Sequence, residues 1–322
     1  MCGIAGFIAP RANWDATELS RVAAAMAAAL TACRTPAEKP MNQQGFASPQ
    51  QAVTALVAAV QDDNDSALLA ILGPDAQDLI SSGDPVADRI GRTRFLAAFG
   101  EKYRLEQEDP DRDLLIVGNR DYPFPIPIRR QGDAWLFDTA AGREEILNRR
   151  IGRNELHTIE VMRAYTVAQR EYASGKHNGG HPTFAQKLTS SQGQKDGLYW
   201  PAAEGEPESP FGPLIARATE EGYTGALDED PPEPFHGYYF KVLKAQGLHA
   251  KGGAFNYVAG GRMVLGFGLV AYPAKYEASG IMTFIINQEG VIFEQDLGAN
   301  TAETALAMTD FDPDPSWRKY EE

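Results

Sequence analysis

The sequence predicts an α+β fold of two modules, and three observations support that prediction. The chain has 322 residues, more than most single domains contain. Residues 46–140 show helical apolar periodicity first and short strand-like runs afterwards. Residues 141–322 repeat that order, with one long amphipathic helix before several strands. We therefore expect two helix-then-sheet modules, which follow a leader and linker over residues 1–45.

The composition is that of an acidic globular protein. Hydrophobic residues make up 43% of the chain and charged residues 23%, while the formal net charge is −14 and the pI is about 4.9. An acidic surface repels nucleic-acid phosphates, so we expect no DNA or RNA partner. The sequence also contains no apolar run of the length that a transmembrane helix requires.

The first module begins with a well-marked helix. Ser48 precedes Pro49, which is typical of an N-cap followed by the first helical position. Apolar residues then recur at positions 52, 53, 56, 57 and 60 with a period of 3.6. Residues 66–72 and 85–99 are predicted to form two further helices. In the last of these, Val86, Ile90, Phe95, Leu96 and Phe99 are expected to point inward.

Strands are predicted to follow these helices at residues 114–117, 124–129 and 134–137, and the last two strands to form a hairpin. Helices followed by a curved antiparallel sheet resemble the cone-shaped nuclear-transport-factor-2-like (NTF2-like) fold, which often encloses a pocket. Catalytic members of that fold use buried Asp and His pairs. Because residues 46–138 contain no histidine, the resemblance implies a binding pocket or a scaffold here.

The second module is predicted to begin with a helix over residues 142–173, in which Gly152 marks a candidate break. Strands are expected at residues 237–243, 262–272, 281–287 and 291–296. A long helix across an antiparallel sheet resembles the globular head of type IV pilins, without their apolar N-terminal half-helix. The apolar stripe of the helix consists of Leu156, Ile159, Met162, Tyr165, Ala168 and Tyr172.

The start of the chain resembles an enzyme family. Residues 1–7 (MCGIAGF) closely resemble the opening of class II glutamine amidotransferases, and the likeness to asparagine synthetase continues to Leu30. That resemblance implies that Cys2, once Met1 is removed, is an N-terminal nucleophile with its own α-amine as the general base. The Arg-Gly-Pro-Asp segment that binds glutamine in that family has no counterpart in this chain. An amidotransferase therefore stands as the alternative function.

A second pattern overlaps the first. Leu30, Thr31, Ala32 and Cys33 fit the bacterial lipobox, in which the cysteine is lipidated, and residues 22–30 would be the apolar part of a signal peptide. An Ala-rich amphipathic helix is the other interpretation of this segment. We expect lipid attachment at Cys33 and a location in the periplasm or at the outer membrane. A cytoplasmic location would follow from the amidotransferase interpretation.

Several ordered motifs point to one bacterial family. They are RIGRNEL at residues 150–156, AQREY at 168–172, DGLYW at 196–200, HGYYF at 236–240, FASP at 46–49 and FDP at 311–313. Over residues 46–317 the chain resembles the family known as domain of unknown function 2950 (DUF2950). Its members are mostly predicted to be exported, which favours lipidation of Cys33. The resemblance assigns neither an activity nor catalytic residues to this chain.

One group of side chains is a candidate ligand surface for a cell-envelope glycan or protein, since exposed aromatic rings supply large contact areas. Packing in the core is the alternative interpretation. His177 and His181 are separated by two glycines and are expected to lie in a solvated loop, so no metal and no cofactor is predicted. The sequence therefore predicts a binding or structural protein rather than an enzyme. The candidate ligand surface comprises Tyr199, Trp200, Phe235, His236, Tyr238 and Tyr239.

Overall fold

The computed structural model describes residues 43–175, 182–202, 205–223 and 233–321. Residues Asn42–Glu322 form one compact unit. Cys2, Cys33, His177 and His181 lie outside the described residues, so the predictions made for them stay predictions.

The described residues contain seven α-helices. Helix α1 begins as predicted, with Pro49 in its first turn and with Ser48 Oγ accepting a hydrogen bond of 3.2 Å from the Gln51 backbone N–H. The helices are α1 (Pro49–Gln61), α2 (Asp65–Leu72), α3 (Gln77–Ile80), α4 (Pro85–Glu101), α5 (Thr139–Ser174), α6 (Gly212–Glu221) and α7 (Thr301–Ala307).

In the described part of the chain, the strands form two five-stranded antiparallel sheets and two smaller ones. The first large sheet contains β1 (Tyr103–Asp109), β2 (Arg112–Val117), β3 (Tyr122–Pro123), β4 (Ile128–Gln131) and β5 (Ala134–Phe137). The second contains β6 (Tyr238–Leu243), β11 (Gly268–Pro273), β12 (Met282–Asn287), β13 (Ile292–Asp296) and β15 (Arg318–Lys319). The small sheets contain β7 (Ala245–Gln246), β8 (Phe255–Asn256), β9 (Val258–Ala259), β10 (Arg262–Met263) and β14 (Asp310–Phe311).

The first sheet confirms the predicted hairpin and corrects its length. Gln131 pairs with Ala134, so the turn has two residues and not the four, 130–133, that the predicted strand ends left between them. Strand β4 begins at Ile128 and not at Phe124, because Pro125 and Pro127 have no N–H to donate to a ladder. Strand β1 was not predicted from the sequence, since its residues are mostly exposed and charged.

The long helix α5 spans 36 residues, and Gly152 does not break it. Five of the six predicted stripe residues are buried against the second sheet, but the prediction for Leu156 was wrong, because this side chain is 60% exposed. At 3.6 residues per turn, Leu156 lies on the side of the helix opposite to the buried Asn154 and Thr158.

Three apolar clusters stabilise the fold. One lies between α1, α2 and the first sheet, another lies between α5 and the second sheet, and the third lies on the other face of that second sheet, beside α7. These elements confirm the α+β class. The NTF2-like and pilin-like subtypes and the module boundary near residue 140 stay predictions. No helix in the described part of the chain combines the length and the apolar character needed to cross a bilayer.

Candidate functional site

A pocket of about 890 Å³ lies beneath helix α4. Its walls come from α1 to α6, from the loop before β4 and from His236. This volume is in the range that small-molecule binding sites occupy in proteins.

Helix α4 faces this pocket with one stripe of residues. Lining residues occur at positions 87, 88, 90, 91, 92, 94, 95 and 98, and six of these positions, 87, 90, 91, 94, 95 and 98, have the spacing of one helical face. All of α4 is described, and none of its residues is fully buried. The apolar residues predicted to point inward, including Ile90 and Phe95, are half-buried, because the space beneath the helix is a pocket and not packed core.

The inner part of the pocket is apolar. Leu56, Leu72 and Val117 belong to the buried cluster of the first sheet, and Phe95, Phe124 and Ile146 pack against that cluster. A pocket wall of this kind favours a hydrocarbon group, since transfer of apolar surface out of water is favourable.

The outer part of the pocket is cationic. Of the described residues that line it, six are arginines and two, Asp88 and Glu221, are carboxylates. This concentration of positive charge contrasts with the net charge of −14 for the whole chain. We refer to the six as the arginine rim, which consists of Arg92, Arg94, Arg149, Arg150, Arg153 and Arg217.

Three members of the arginine rim have carboxylate partners. Arg92 binds Asp63 and Asp65. Arg149 binds Glu145. Arg217 Nε lies 3.6 Å from Glu221 Oε1.

The other three members, Arg94, Arg150 and Arg153, have no carboxylate within 4.0 Å among the described residues. Arg150 donates instead to the backbone carbonyls of Asp78 and Leu79, both at 2.6 Å, and burial lowers the pKa of its guanidinium. Arg94 and Arg153 are exposed, and their guanidinium groups make no hydrogen bond to another described residue.

Two histidines lie next to the arginine rim. The ring centroids of His157 and His236 are 4.3 Å apart, and His236 Nε2 lies 3.1 Å from Glu221 Oε2. Burial is the largest cause that lowers the pKa of His236 to about 3, and the nearby His157, Arg217, Arg94 and Arg153 lower it further. Burial also lowers the pKa of His157. Both rings are therefore neutral near pH 7.

A buried carboxylate positions His236. Asp84 caps the start of α4, where its Oδ1 accepts hydrogen bonds from the Val86 and Ala87 backbone N–H groups. Its Oδ2 accepts a hydrogen bond of 2.9 Å from the Tyr223 hydroxyl and one of 2.8 Å from the Gly237 backbone N–H. Because Asp84 is fully buried, desolvation raises the pKa of its carboxyl. Asp84 thus connects α4 to the residue after His236.

The backbone at this point is in the left-handed region. His236 has a φ of +49° and Gly237 a φ of +77°. A Cβ on Gly237 would lie 2.5 Å from the Asn154 Nδ2 atom, so a residue without a side chain is required there. Asn154 in turn donates to the Ser279 carbonyl oxygen at 2.9 Å, which connects α5 to the segment before β12.

The comparison with protein families matches residues 43–320 to the model described as "Protein of unknown function (DUF2950)". The chain belongs to this family. No curated protein and no solved structure matches this chain.

Two of the DUF2950 motifs meet at the pocket. RIGRNEL contributes Arg150, Arg153 and Asn154, and HGYYF contributes His236. Their contact through Asn154 and Gly237 is therefore part of the wall of the candidate site.

The predicted aromatic surface is divided by the fold of this DUF2950 chain. Trp200, Phe235 and Tyr238 are buried in the cluster beneath α5, and Tyr199 packs against that cluster. Tyr239 lies on the other face of the second sheet, where its ring centroid is 5.5 Å from that of Tyr272. His236 lines the pocket. The six residues share no single surface, which favours core packing for most of them, and ligand binding by the group stays a prediction.

Sequence analysis did not find the arginine rim. Arg149, Arg150, Arg153 and His157 follow one another at helical spacing, and that pattern could have predicted a cationic face on α5. Arg94, Arg217 and His236 come from distant parts of the chain and carry no local pattern. Among the described residues, no three His, Cys, Asp or Glu side chains come together as a metal ion would require.

Proposed function

We propose that this protein binds an amphipathic anion, a molecule with a hydrocarbon tail and a negatively charged head group. The observation that carries the proposal is the division of one pocket into an apolar interior and the arginine rim. Ligand sites in proteins are commonly apolar with a few polar groups that orient the ligand.

The apolar interior supports the tail. Each methylene group that leaves water for such a wall contributes about 0.8 kcal/mol. Two additional methylenes should therefore tighten binding about tenfold, as long as the tail is shorter than the pocket.

The arginine rim supports the anionic head. Guanidinium groups bind carboxylate and phosphate oxygens through paired hydrogen bonds. Arg94 and Arg153 are exposed and have no described hydrogen-bond partner, so their donors are available to a head group.

Calorimetric titration with octyl and decyl chains that carry either a carboxylate or a phosphate tests this function. We expect saturable binding of at least one series, tightening about tenfold from octyl to decyl. If neither series binds, or if affinity does not depend on chain length, the proposed function is wrong.

A substitution in α4 tests the location. Gly91 lines the pocket, and a Cβ at this position meets no atom within 4 Å. Gly91→Phe should place a ring in the pocket and weaken binding of the decyl ligand about tenfold or more. Gly100→Phe is the matched control, because Gly100 lies on the same helix, has equally open space and does not line the pocket. Equal affinity of both variants would assign the ligand to another site.

We further propose that the protein acts outside the cytoplasm, attached to lipid through Cys33, in the periplasm or at the outer membrane. The lipobox-like segment from Leu30 to Cys33 supports this location. Mass spectrometry of the protein from its native host is the test. A mature chain that begins at lipid-modified Cys33 is expected, and an unmodified chain that retains residues 1–33 would contradict the proposal.

An amidotransferase that uses Cys2 is the second candidate function, because residues 1–7 resemble the start of that enzyme family. It requires a mature chain that begins at Cys2. Glutaminase activity that is lost in Cys2→Ala would establish it, and a mature chain that begins at Cys33 would exclude it.

A further inference from the structure

We infer that the head group is a phosphate monoester and that Arg94 and Arg153 select it over a carboxylate; this inference rests on the proposed function of the pocket. The ligand would be a single hydrocarbon chain that ends in a phosphate. The structural basis is the number of guanidinium groups around the pocket that lack a carboxylate partner.

The charges of the arginine rim are only partly balanced. Arg92, Arg149 and Arg217 lie against carboxylates, whereas Arg94, Arg150 and Arg153 have none within 4.0 Å among the described residues. A carboxylate head brings one negative charge. A phosphate monoester brings about 1.5 to 2 negative charges at pH 7 and therefore balances this group better.

The available hydrogen-bond donors also match a phosphate. The guanidinium groups of Arg94 and Arg153 make no hydrogen bond to another described residue, so each presents free donors at the pocket. Arg150 is fixed by the carbonyls of Asp78 and Leu79 and supplies positive charge from a rigid position. Two guanidinium forks can bind more oxygen atoms than one carboxylate offers, while a phosphate monoester presents three.

The two histidines leave the charge of the arginine rim unchanged. Burial lowers the pKa of both His157 and His236, so both rings are neutral near pH 7. His157 Nδ1 is buried and has no hydrogen-bond partner among the described residues, so this atom is not accessible to a head group. The positive charge that the head group balances is therefore that of the arginines.

The first test compares decyl phosphate with decanoate at pH 7.5, since the two probes have similar tails. We expect decyl phosphate to bind about tenfold more tightly. Equal affinities would overturn the inference and leave the proposed function standing. Absence of binding by both probes would overturn the proposed function itself.

Inorganic phosphate is the probe for a free anion. We expect it to bind at least about a thousandfold more weakly than decyl phosphate, because it has no tail to bury and each pair of methylenes contributes about tenfold. If the two bind equally, the site belongs to a free anion and the inference is wrong.

Arginine variants test the selection. Arg94→Gln and Arg153→Gln should each reduce the preference for decyl phosphate over decanoate. Arg163→Gln is the matched control, because Arg163 is exposed on the same helix as Arg153 and does not line the pocket. If the preference is unchanged in both rim variants, other residues recognise the head group and the inference is overturned.

The pH supplies an independent readout. The second ionisation of a phosphate monoester has a pKa of about 6, so the dianion becomes a monoanion between pH 7.5 and pH 5. Decanoate stays mostly ionised down to about pH 5.5, because an aliphatic carboxyl has a pKa of about 4.3. The preference for decyl phosphate should therefore fall several-fold between pH 7.5 and pH 5.5, and a preference that does not change over this range would contradict the inference. The charged and titratable groups that line the pocket are Asp88, Arg92 and Arg94 from α4, Tyr122 from β3, Arg149, Arg150, Arg153 and His157 from α5, Arg217 and Glu221 from α6, and His236.

Discussion

Helix α4 and strand β11 are both built around apolar residues, but they bury them to different extents. All six residues of β11 are buried, between α5 on one face of the sheet and the cluster beside α7 on the other. Helix α4 has 17 residues and none is fully buried. The second sheet therefore has a filled core, whereas the apolar face of α4 borders the pocket.

This difference indicates where the proposed ligand would bind. Apolar surface that is covered by the protein contributes to stability, and apolar surface that lines a pocket can contribute to binding. The acidic chain also places its arginine rim at this pocket, although like charges repel one another. Both features cost stability, and the proposed ligand would offset both costs with its tail and its negative charge.

The largest expected effect comes from truncating a ring in each region. Phe284 in β12 is 1% exposed, and Phe284→Ala should lower the free energy of unfolding by about 3 to 5 kcal/mol. Phe95 on α4 is half-buried beside the pocket, and Phe95→Ala should cost about 1 kcal/mol. Chemical denaturation of both variants measures the difference. Similar losses would mean that the region beneath α4 is packed as tightly as the second sheet.

The next effect concerns the cap of α4. Asp84→Ala should cost about 3 kcal/mol, because it removes an N-cap and leaves the buried Gly237 N–H without its partner. Asn64→Ala is the matched control, since Asn64 caps α2 at an exposed position and accepts one hydrogen bond from the Ala67 N–H. This control should lose about 1 kcal/mol. Equal losses of unfolding free energy would show that the hydrogen bond between Asp84 and Gly237 contributes nothing to stability.

A bound ligand should reduce the difference in local stability between α4 and β11. At a free concentration 100 times its dissociation constant, a ligand raises the free energy of unfolding by about 2.7 kcal/mol. In the free protein we expect faster amide hydrogen exchange in α4 than in β11. Decyl phosphate should slow exchange in α4 most. If it slows exchange only in the second sheet, the ligand binds away from the pocket.

The smallest effect is on the pH dependence of stability. The pKa of His236 is about 3 in the folded protein and near 6.5 when the chain unfolds, so between these values the unfolded state binds the proton. Stability should therefore fall as the pH drops from 7 to 5. His236→Gln should remove about 1 kcal/mol of that loss, a value reduced to allow for the partial exposure of the ring. Parallel pH profiles of the variant and the wild type would contradict this prediction.

Local signals in the sequence were enough for most helices and hairpins. Ser48 and Pro49 mark the start of α1, and the two-residue turn after Gln131 marks the β4–β5 hairpin, because caps and turns depend on neighbouring residues. Where a local signal was absent the prediction was wrong or missing. Residues 262–272 were expected to form one strand, yet they form β10 and β11 with a break at Val264 and Leu265, which is set by hydrogen bonds to the Tyr257 carbonyl oxygen.

The α+β class, the family, the start of α1 and most of the helix that carries Arg153 followed from the sequence alone. It could not determine which apolar face stays uncovered. Ile90 and Phe95 have the same periodicity whether they meet a packed core or a pocket, because periodicity reports direction and not what fills the space. Only the tertiary structure shows that the apolar face of α4 borders a pocket. It also places Arg94, Arg153, Arg217 and His236, which come from four separate segments, at that one pocket. Contacts between such distant segments depend on the packing of whole elements, which no local pattern records.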